Sequence, residues 1–167
     1  MTYYSLLPSP IDDLLLLSDG EALEGLFMGD HQKGPGISPD WIRDESVPVL
    51  AQTRAQLLAY FAGELREFHL PLKMSGTSFQ SMVWQGLKDI PYGVTISYGE
   101  FAKRLGVPNS SRAVGLANGR NPISIVVPCH RVIGANGKLT GYGGGLPRKQ
   151  ALLELEGVDL GKQGSLF

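Results

Sequence analysis

The fold of this chain is decided at residues 97–118, which read SYGEFAKRLGVPNSSRAVGLAN. Ser97, followed three residues later by Glu100, is typical of a helix N-terminus with a capping box, and the helix it predicts ends at Gly106. After a short link, Ser110 is predicted to cap a second helix. Two helices joined by a tight turn with glycine are typical of a helix-turn-helix, which binds DNA. A helical hairpin inside an ordinary enzyme core is the alternative.

Charge is distributed unevenly along the chain. Residues 1–72 carry four Lys or Arg against eleven Asp or Glu, a balance of −7, whereas residues 73–150 carry ten against two, a balance of +8. The predicted helix-turn-helix lies in the basic part, which favours an anionic partner such as nucleic acid. Chance clustering of charges on a solvated surface would produce the same pattern.

The first part of the chain has the pattern of a small sheet domain. Strands are predicted at residues 2–9, 14–17 and 22–28, a loop at 29–46, a helix at 49–63 and a short strand at 68–72. The apolar face of that helix is predicted to hold Leu50, Leu57, Leu58 and Phe61. We therefore expect residues 1–72 to form a small α/β domain on an antiparallel sheet.

The second part is predicted to be mostly helical. A helix is expected from Thr77 or Ser78 to about Ile90, and its buried face is formed by Phe79, Val83, Trp84 and Leu87. The β-branched run at 123–127 predicts a buried strand. Further along, the sequence predicts a hairpin turn at 136–137, a return strand at 139–142 and a last helical turn at 151–156.

Cys129 is the only cysteine, and it lies between Pro128 and His130 at the end of the predicted strand. A thiol has a pKa of about 8.5, so a nucleophilic cysteine needs a base, and the base needs an acceptor that orients it. His130 is the candidate base and Glu156 the candidate orienting group. Because neighbours on a strand point to opposite faces, we expect a water or a turn to join Cys129 to His130. A buried structural cysteine beside a surface histidine is the alternative.

No metal, cofactor or membrane partner is expected. One cysteine and the scattered His31, His69 and His130 lack the spacing of metal ligands, and the glycine-rich run 141–145 lacks the Lys-Ser/Thr of a phosphate loop. Tyr142 in that run is either a stacking platform or a packing residue. No apolar run approaches the about 20 residues of a membrane helix, and a lone cysteine cannot form an internal disulfide. We therefore expect a soluble, cytoplasmic protein.

The residues around Cys129 resemble the active-site motif of the O6-alkylguanine-DNA alkyltransferases, also called methylated-DNA–protein-cysteine methyltransferases. The motif is PCHRV at 128–132. Similar segments follow the family in order: FQSMVW (79–84), IPYG (90–93), SYGE (97–100), RAVG (112–115), NGRNPI (118–123), GYGGG (141–145) and LLELEG (152–157). Residues 1–75 resemble the family more loosely. The resemblance favours an acceptor cysteine over a structural one.

The resemblance implies roles for five residues at the reacting centre. Cys129 would accept the alkyl group as a thiolate, His130 would take its proton through a water, and Glu156 would orient His130. Asn121 would hold the turn between the second helix of the helix-turn-helix and the active site. Tyr98 would donate its hydroxyl to N3 of the departing guanine.

The resemblance also implies which groups bind the DNA. The backbone carbonyls of Cys129 and Val132 would bind the exocyclic amine of guanine, the N–H of Gly143 would meet O6, and Tyr142 would wall the pocket. Because the target atom lies inside a duplex, the base must be flipped out, and Arg112 would fill the gap. A solvated or phosphate-contacting arginine is the alternative for Arg112. The helix would enter the narrow minor groove, which suits its small residues Ser111, Ala113 and Gly115.

The expected fold class is α+β. Residues 1–72 would form an N-terminal α/β domain with a ribonuclease-H-like fold, and residues 77–160 a C-terminal winged helix-turn-helix domain. The implied activity is a single, irreversible transfer of an alkyl group from O6 of guanine, and from O4 of thymine, in double-stranded DNA to Cys129, by a monomer without a cofactor. The alternatives are a non-catalytic lesion-binding protein, a transcription regulator and a thiol hydrolase. Cooperative binding along DNA, the range of alkyl groups and the role of the acidic domain stay open.

Overall fold

The computed structural model describes residues 1–28, 36–135, 142 and 145–160. The chain divides into two compact units, the first made of residues 1–74 together with 122–126 and the second made of the remainder. Residues 122–126 lie within the range 77–160 that the sequence assigned to the second domain, yet they pack with the first unit. The chain therefore enters the first unit a second time, shortly before Cys129.

The first unit is built on a four-stranded sheet. In spatial order the strands are β3 (Leu23–Met28), β2 (Leu14–Ser18), β1 (Tyr3–Leu7) and β4 (Ile42–Arg43). The first three pair antiparallel, as predicted, whereas β4 is parallel to β1 and lies within the segment predicted to be a loop. Every residue of β2 is buried, which fits a strand covered on both faces.

Helix α1 (Pro48–Phe61) confirms the predicted helix but corrects its buried face. The predicted Leu58 is 55% exposed, whereas the unpredicted Tyr60 is completely buried. Each residue turns a helix by about 100°, so Leu58 lies well away from Leu57. The observed buried face consists of Val49, Leu50, Thr53, Leu57 and Tyr60.

Two predicted strands are wrong. Residues 68–72 are irregular apart from a bridge between Leu72 and Leu23. Residues 123–127 make a bridge from Ile123 to Leu26 and then turn, with Ile125 at a φ of +72°. An apolar run predicts burial, but apolar residues can be buried in a turn as well as in a strand. Here the chain turns within a few residues after Ile123.

The second unit contains four α-helices among the residues that the structure describes. They are α2 (Ser78–Leu87), α3 (Tyr98–Arg104), α4 (Ser111–Gly119) and α5 (Leu146–Leu155), with a short parallel pair of strands, β5 (Ile96–Ser97) and β6 (Val132–Ile133). Thr77 caps α2 in a capping box with Gln80, and Ser97 caps α3 by accepting from the Glu100 N–H. Ser110 is the N-cap residue of α4, as predicted, but its side chain makes no capping hydrogen bond.

Helices α3 and α4 confirm the predicted helix-turn-helix. The turn between them contains Gly106 at a φ of +80°, a conformation that favours glycine. Trp84 donates from Nε1 to the Ala117 carbonyl over 2.9 Å and so joins α2 to α4. The return strand predicted at 139–142, and with it the wing, falls mostly outside the described residues. None of the described helices is long and apolar enough to cross a membrane.

Candidate active site

Cys129 begins a single turn of 3₁₀ helix, Cys129–Arg131, which leads directly into β6. The Cys129 N–H donates to the Val127 carbonyl over 2.8 Å, and the Val132 N–H closes the turn on the Cys129 carbonyl. Cys129 is 4% exposed, and His130 and Arg131 are buried as well. A strand would have turned alternate side chains to opposite faces, whereas this turn keeps three successive side chains inside the unit.

His130 and Glu156 form a buried hydrogen-bonded pair. His130 Nε2 lies 2.6 Å from Glu156 Oε2, at the C-terminus of α5. Since a carboxylate only accepts, Nε2 carries the proton and Nδ1 is the accepting nitrogen of the ring. Within the described part of the chain, His130 Nδ1 is buried without a hydrogen-bond partner. Nδ1 of His130, in the residue next to Cys129, therefore has a lone pair that can accept a proton.

The surroundings set the charge of both partners. Burial lowers the pKa of His130 most strongly, and the charges of Arg131 and Lys149 act in the same direction against Glu156. Burial would raise the pKa of Glu156, but hydrogen bonds and charges from His130 and Arg131 hold that pKa well below its usual range. At neutral pH the imidazole is therefore neutral and the carboxylate ionised, as a base and its orienting group require.

Arg131 fixes the same carboxylate from the other side. Its Nε lies 2.8 Å from Glu156 Oε1 and its Nη2 lies 3.0 Å from Oε2, while Nη1 donates to the Ile90 carbonyl over 2.7 Å. The Gly93 N–H donates to Glu156 Oε1 over 3.1 Å. Arg131 was not predicted to have a role, although a charged residue directly after His130 in an apolar stretch was a signal for one.

Two buried asparagines brace the backbone around Cys129. Asn121 donates from Nδ2 to the Val127 carbonyl over 2.7 Å, which ties the chain together across the excursion at 122–126. Asn118 donates from Nδ2 to the Cys129 carbonyl over 3.2 Å. Asn121 was predicted at such a turn, whereas Asn118 was missed. Its signal was a polar residue four positions after Val114, on the buried face of α4.

The two carbonyls assigned to the guanine amine already have partners in this structure. The Val132 oxygen accepts from Lys149 Nζ over 2.6 Å. The Cys129 oxygen accepts from Asn118 and from the Val132 N–H. A carbonyl oxygen has two lone pairs, so an incoming amine would share the Val132 oxygen with Lys149.

Lys149 is a fully buried cation in this unit. Its Nζ lies 5.9 Å from the ring centres of both Tyr98 and Tyr142. Burial lowers the pKa of Lys149 to about 8, and the charge that Cys129 would carry when ionised acts in the opposite direction. Lys149 was also missed, although it precedes Glu156 by seven residues and so shares its side of the helix.

The remaining predicted residues lie mainly on α3 and α4. The ring of Tyr98 passes close to Gly115, where an added Cβ would lie 3.6 Å from ring carbons. Tyr142 is 9% exposed, and its backbone neighbour Gly143 lies outside the described residues. The exposed start of α4 is formed by Ser111, Arg112 and Ala113. No cluster of three or more metal-ligating side chains occurs among the described residues.

Fold and site together define a class of protein: one with a helix-turn-helix, a motif typical of DNA-binding proteins, and a buried cysteine next to a hydrogen-bonded histidine and glutamate in the same unit. Comparison with known proteins supplies the family. Residues 2–74 match the ribonuclease-like domain of 6-O-methylguanine DNA methyltransferase, and residues 78–158 match its DNA binding domain. The chain belongs to this family, which confirms the resemblance and the expected α+β fold.

Individual relatives agree over nearly the whole chain. A methylated-DNA–protein-cysteine methyltransferase of Methanosarcina acetivorans is 52% identical over 93% of this chain and 98% of the relative. The crystal structure of Mycobacterium tuberculosis OGT in complex with DNA aligns with a TM-score of 0.85 at 52% identity, covering 92% of each chain. The O6-methylguanine-DNA methyltransferase from Pyrococcus kodakaraensis aligns with a TM-score of 0.63 at 28% identity, covering 95% of this chain and 100% of the other.

Proposed function

We propose that this protein repairs double-stranded DNA by direct reversal, in which Cys129 takes an alkyl group from O6 of guanine, or from O4 of thymine, once and irreversibly. The observation that carries the proposal is the buried pair of His130 and Glu156 next to Cys129, which leaves His130 Nδ1 ready to accept a proton. Membership of the methyltransferase family supports the same reaction.

The reaction begins with the proton of the thiol. Neutral His130 takes it at Nδ1 through a bridging water, and the carboxylate of Glu156 stabilises the imidazolium that forms. The sulfur of Cys129 then attacks the alkyl carbon, so that a C–S bond forms. The bond from that carbon to O6 breaks, and its electron pair goes to the guanine.

The leaving base must not depart as an anion. Tyr98 donates a proton to the guanine and recovers one from the solvent side, so the base gains the one proton that the thiol lost. The product is ordinary guanine in DNA and a thioether on Cys129. Because a thioether resists hydrolysis, each protein molecule acts once.

The exposed start of α4 binds the DNA. Ser111 and Ala113 are small and exposed, and Gly115 follows them, which suits a helix in the narrow minor groove. Arg112 fills the gap that the flipped base leaves in the stack. Tyr142 would wall the pocket for the base, and the N–H of Gly143, which lies outside the described residues, is the group that the family resemblance assigns to O6.

The setting of the reaction follows from its chemistry. The chain and the DNA supply the nucleophile, the base and the leaving group, so no cofactor is required. The acceptor must stay a reduced thiol, which supports work in the cytoplasm. One chain carries the acceptor, its base and the helix-turn-helix, so a monomer would suffice. Residues 1–72 and 77–160 would act as its two domains.

The test is the intact mass of the protein during incubation with a duplex that contains one O6-methylguanine. We expect the mass to rise by one methyl group per molecule and then to stay constant, whereas Cys129→Ser gains nothing. A non-catalytic lesion-binding protein would bind the lesion equally in both forms without any gain. A hydrolase would repair an excess of lesions and keep no adduct. Either result would overturn the proposal.

A further inference from the structure

Asn118 brings a second unsatisfied hydrogen-bond acceptor to the surroundings of Cys129. Its side chain is buried, and within the described part of the chain its Oδ1 has no hydrogen-bond partner. The same is true of His130 Nδ1. Buried polar atoms are seldom left unsatisfied, so two of them on side chains beside one cysteine require an explanation. The reaction described above gives the side chain of Asn118 no role in moving the proton.

The orientation of the Asn118 amide is fixed by Cys129. Its Nδ2 donates to the Cys129 carbonyl over 3.2 Å. Turning the amide over would bring Oδ1 against that carbonyl, and two acceptors cannot form a hydrogen bond with each other. Because Oδ1 is bonded to the same carbon atom as Nδ2, it also lies beside residue 129. The unsatisfied atom is therefore the amide oxygen, which can only accept.

Asn118 is held in place by its neighbours on α4. It lies on the buried face of the helix together with Val114 and Ala117. The Ala117 carbonyl accepts from Trp84 Nε1 over 2.9 Å, and the Asn118 carbonyl accepts from the Asn121 N–H over 3.3 Å. These bonds fix the end of α4 against Cys129. A side chain on such a rigid element is suited to orienting a small molecule.

A single water molecule would satisfy both acceptors. His130 Nδ1 can only accept, because Nε2 holds the ring proton against Glu156. A water has two O–H groups, one for Asn118 Oδ1 and one for His130 Nδ1, and its oxygen can accept from the thiol of Cys129 at the same time. That arrangement gives the water about three polar partners, which is usual for a buried water.

We propose that Asn118 is a positioning residue for the proton transfer: its Oδ1 and His130 Nδ1 hold one water between them, and this water takes the proton of the Cys129 thiol. The S–H bond breaks, its electron pair stays on sulfur, and the water passes one of its own protons to Nδ1. The hydrogen that points at Asn118 stays where it is, so the water keeps its orientation. The inference rests on the proposed function, in which the thiol proton reaches His130 through a water.

The first experiment needs neither a variant nor DNA. A high-resolution crystal structure of the parent protein should show one water oxygen within about 3.2 Å of both Asn118 Oδ1 and His130 Nδ1, and in contact with Cys129 Sγ. The inference is wrong if the water on His130 Nδ1 lies out of reach of Asn118, or if neither acceptor binds a water.

The second experiment follows methyl transfer from an O6-methylguanine duplex in single-turnover conditions at a series of pH values. Asn118→Leu keeps the branched shape of the side chain but removes the acceptor. We expect it to be about tenfold slower than the parent at pH 7, the effect of one lost hydrogen bond. Above the ordinary thiol pKa of about 8.5 the two rates should converge, because hydroxide then removes the proton directly.

The matched control is Gln85→Leu, which also replaces an amide by leucine but at an exposed position of α2. It should transfer at the parent rate at every pH. A role of Asn118 limited to bracing the Cys129 carbonyl predicts a loss that is equal at every pH, and that result would overturn the inference.

A double variant tests whether Asn118 acts through His130. In His130→Gln the base is missing, so adding Asn118→Leu should cost little further rate, whereas independent roles would give the full tenfold loss again and contradict the inference. If Asn118→Leu does not fold, the crystal structure of the parent decides. If the parent transfers no methyl group, the proposed function fails, and the same crystal structure still decides whether Asn118 and His130 share a water.

Discussion

The two units of this molecule bury different kinds of side chains. Among the described residues, the buried polar side chains of the first unit are Ser5, Ser18, Thr53 and Ser124, and none of them is ionisable. The second unit buries a histidine, two basic residues and a glutamate, which are His130, Arg131, Lys149 and Glu156, in addition to the thiol of Cys129. Buried charges cost stability unless they are paired, whereas buried leucines add to it. The uncharged interior of the first unit thus adds to stability. The charged groups inside the second unit cost stability, which fits a role for them at the candidate site around Cys129.

The largest expected effect on stability is that of Glu156→Gln. The change leaves the guanidinium of Arg131 buried without an opposite charge, so we expect unfolding to become easier by about 3–5 kcal/mol. Methyl transfer should also slow by about a hundredfold or more, because His130 loses its orienting group. Denaturant unfolding and single-turnover assays measure the two effects.

Glu154→Gln is the matched control for this change. Glu154 is an exposed residue of the same helix, bonded to Gln150, so its replacement should alter stability by less than about 0.5 kcal/mol. Equal losses of stability and of transfer rate in Glu156→Gln and Glu154→Gln would mean that the contacts of the buried carboxylate contribute nothing.

In the first unit, Leu16→Ala should have a comparable cost for a different reason. Leu16 is completely buried in the central strand β2, and its removal leaves a cavity, so we expect a loss of about 2–5 kcal/mol. The loss should be the same at pH 7 and at about pH 5, since no ionisable group is involved. A loss of stability in Leu16→Ala that depends strongly on pH would contradict the view that the interior of the first unit lacks titrating groups.

Between pH 7 and about pH 5, above the ordinary pKa values of the carboxyl groups, the pH dependence of stability should come from the second unit. Because the pKa of His130 is lower in the folded protein than its ordinary value of 6.5, the unfolded chain takes up a proton first as the pH falls. The free energy of unfolding should therefore decrease as the pH falls from 7 to about 5. Glu156, also shifted downward, acts only below that window, near its ordinary value of 4.5.

His130→Gln removes this titration, and the slope between the two pH values should flatten. Leu16→Ala, by comparison, should keep the slope of the parent. Thermal or denaturant unfolding at a series of pH values measures both slopes. An unaltered slope in His130→Gln would mean that another group causes the pH dependence of stability.

The smallest expected effect is that of Thr53→Val in the first unit. Thr53 donates from Oγ1 to the Val49 carbonyl over 2.7 Å within α1, and that carbonyl keeps its ordinary helical hydrogen bond. Valine has nearly the same shape, so the change should cost no more than about 1 kcal/mol in denaturant unfolding. A loss as large as that of Glu156→Gln would show that polar contacts matter equally in both interiors.

The helices of the second unit could be predicted because their signals are local. Thr77 with Gln80 and Ser97 with Glu100 mark helix starts within a single turn of chain, and both function as caps in the structure. The strand predicted at 123–127 was wrong because a run of apolar residues indicates burial, but it does not indicate whether the buried chain is extended or turns. That direction depends on packing with β3, which no local pattern contains.

The site was only partly accessible from the sequence. The pairing of His130 with Glu156 joins residues far apart in the chain, and it was expected through the family resemblance. Arg131 and Lys149 were missed because a cation in a basic segment is expected on the surface. Since both are buried, the balance of +8 over residues 73–150 overstates the positive charge that this segment can offer to DNA.

The most direct test of the account follows both products of one reaction. A duplex with one O6-methylguanine is incubated with the protein, the DNA strand is weighed by mass spectrometry, and the protein is mapped by peptides. We predict that the strand loses one CH₂ and keeps its base, and that the peptide with Cys129 gains the same CH₂. An unchanged strand, a strand without the base, or a methyl group on any other residue would contradict the central claim that Cys129 is the acceptor.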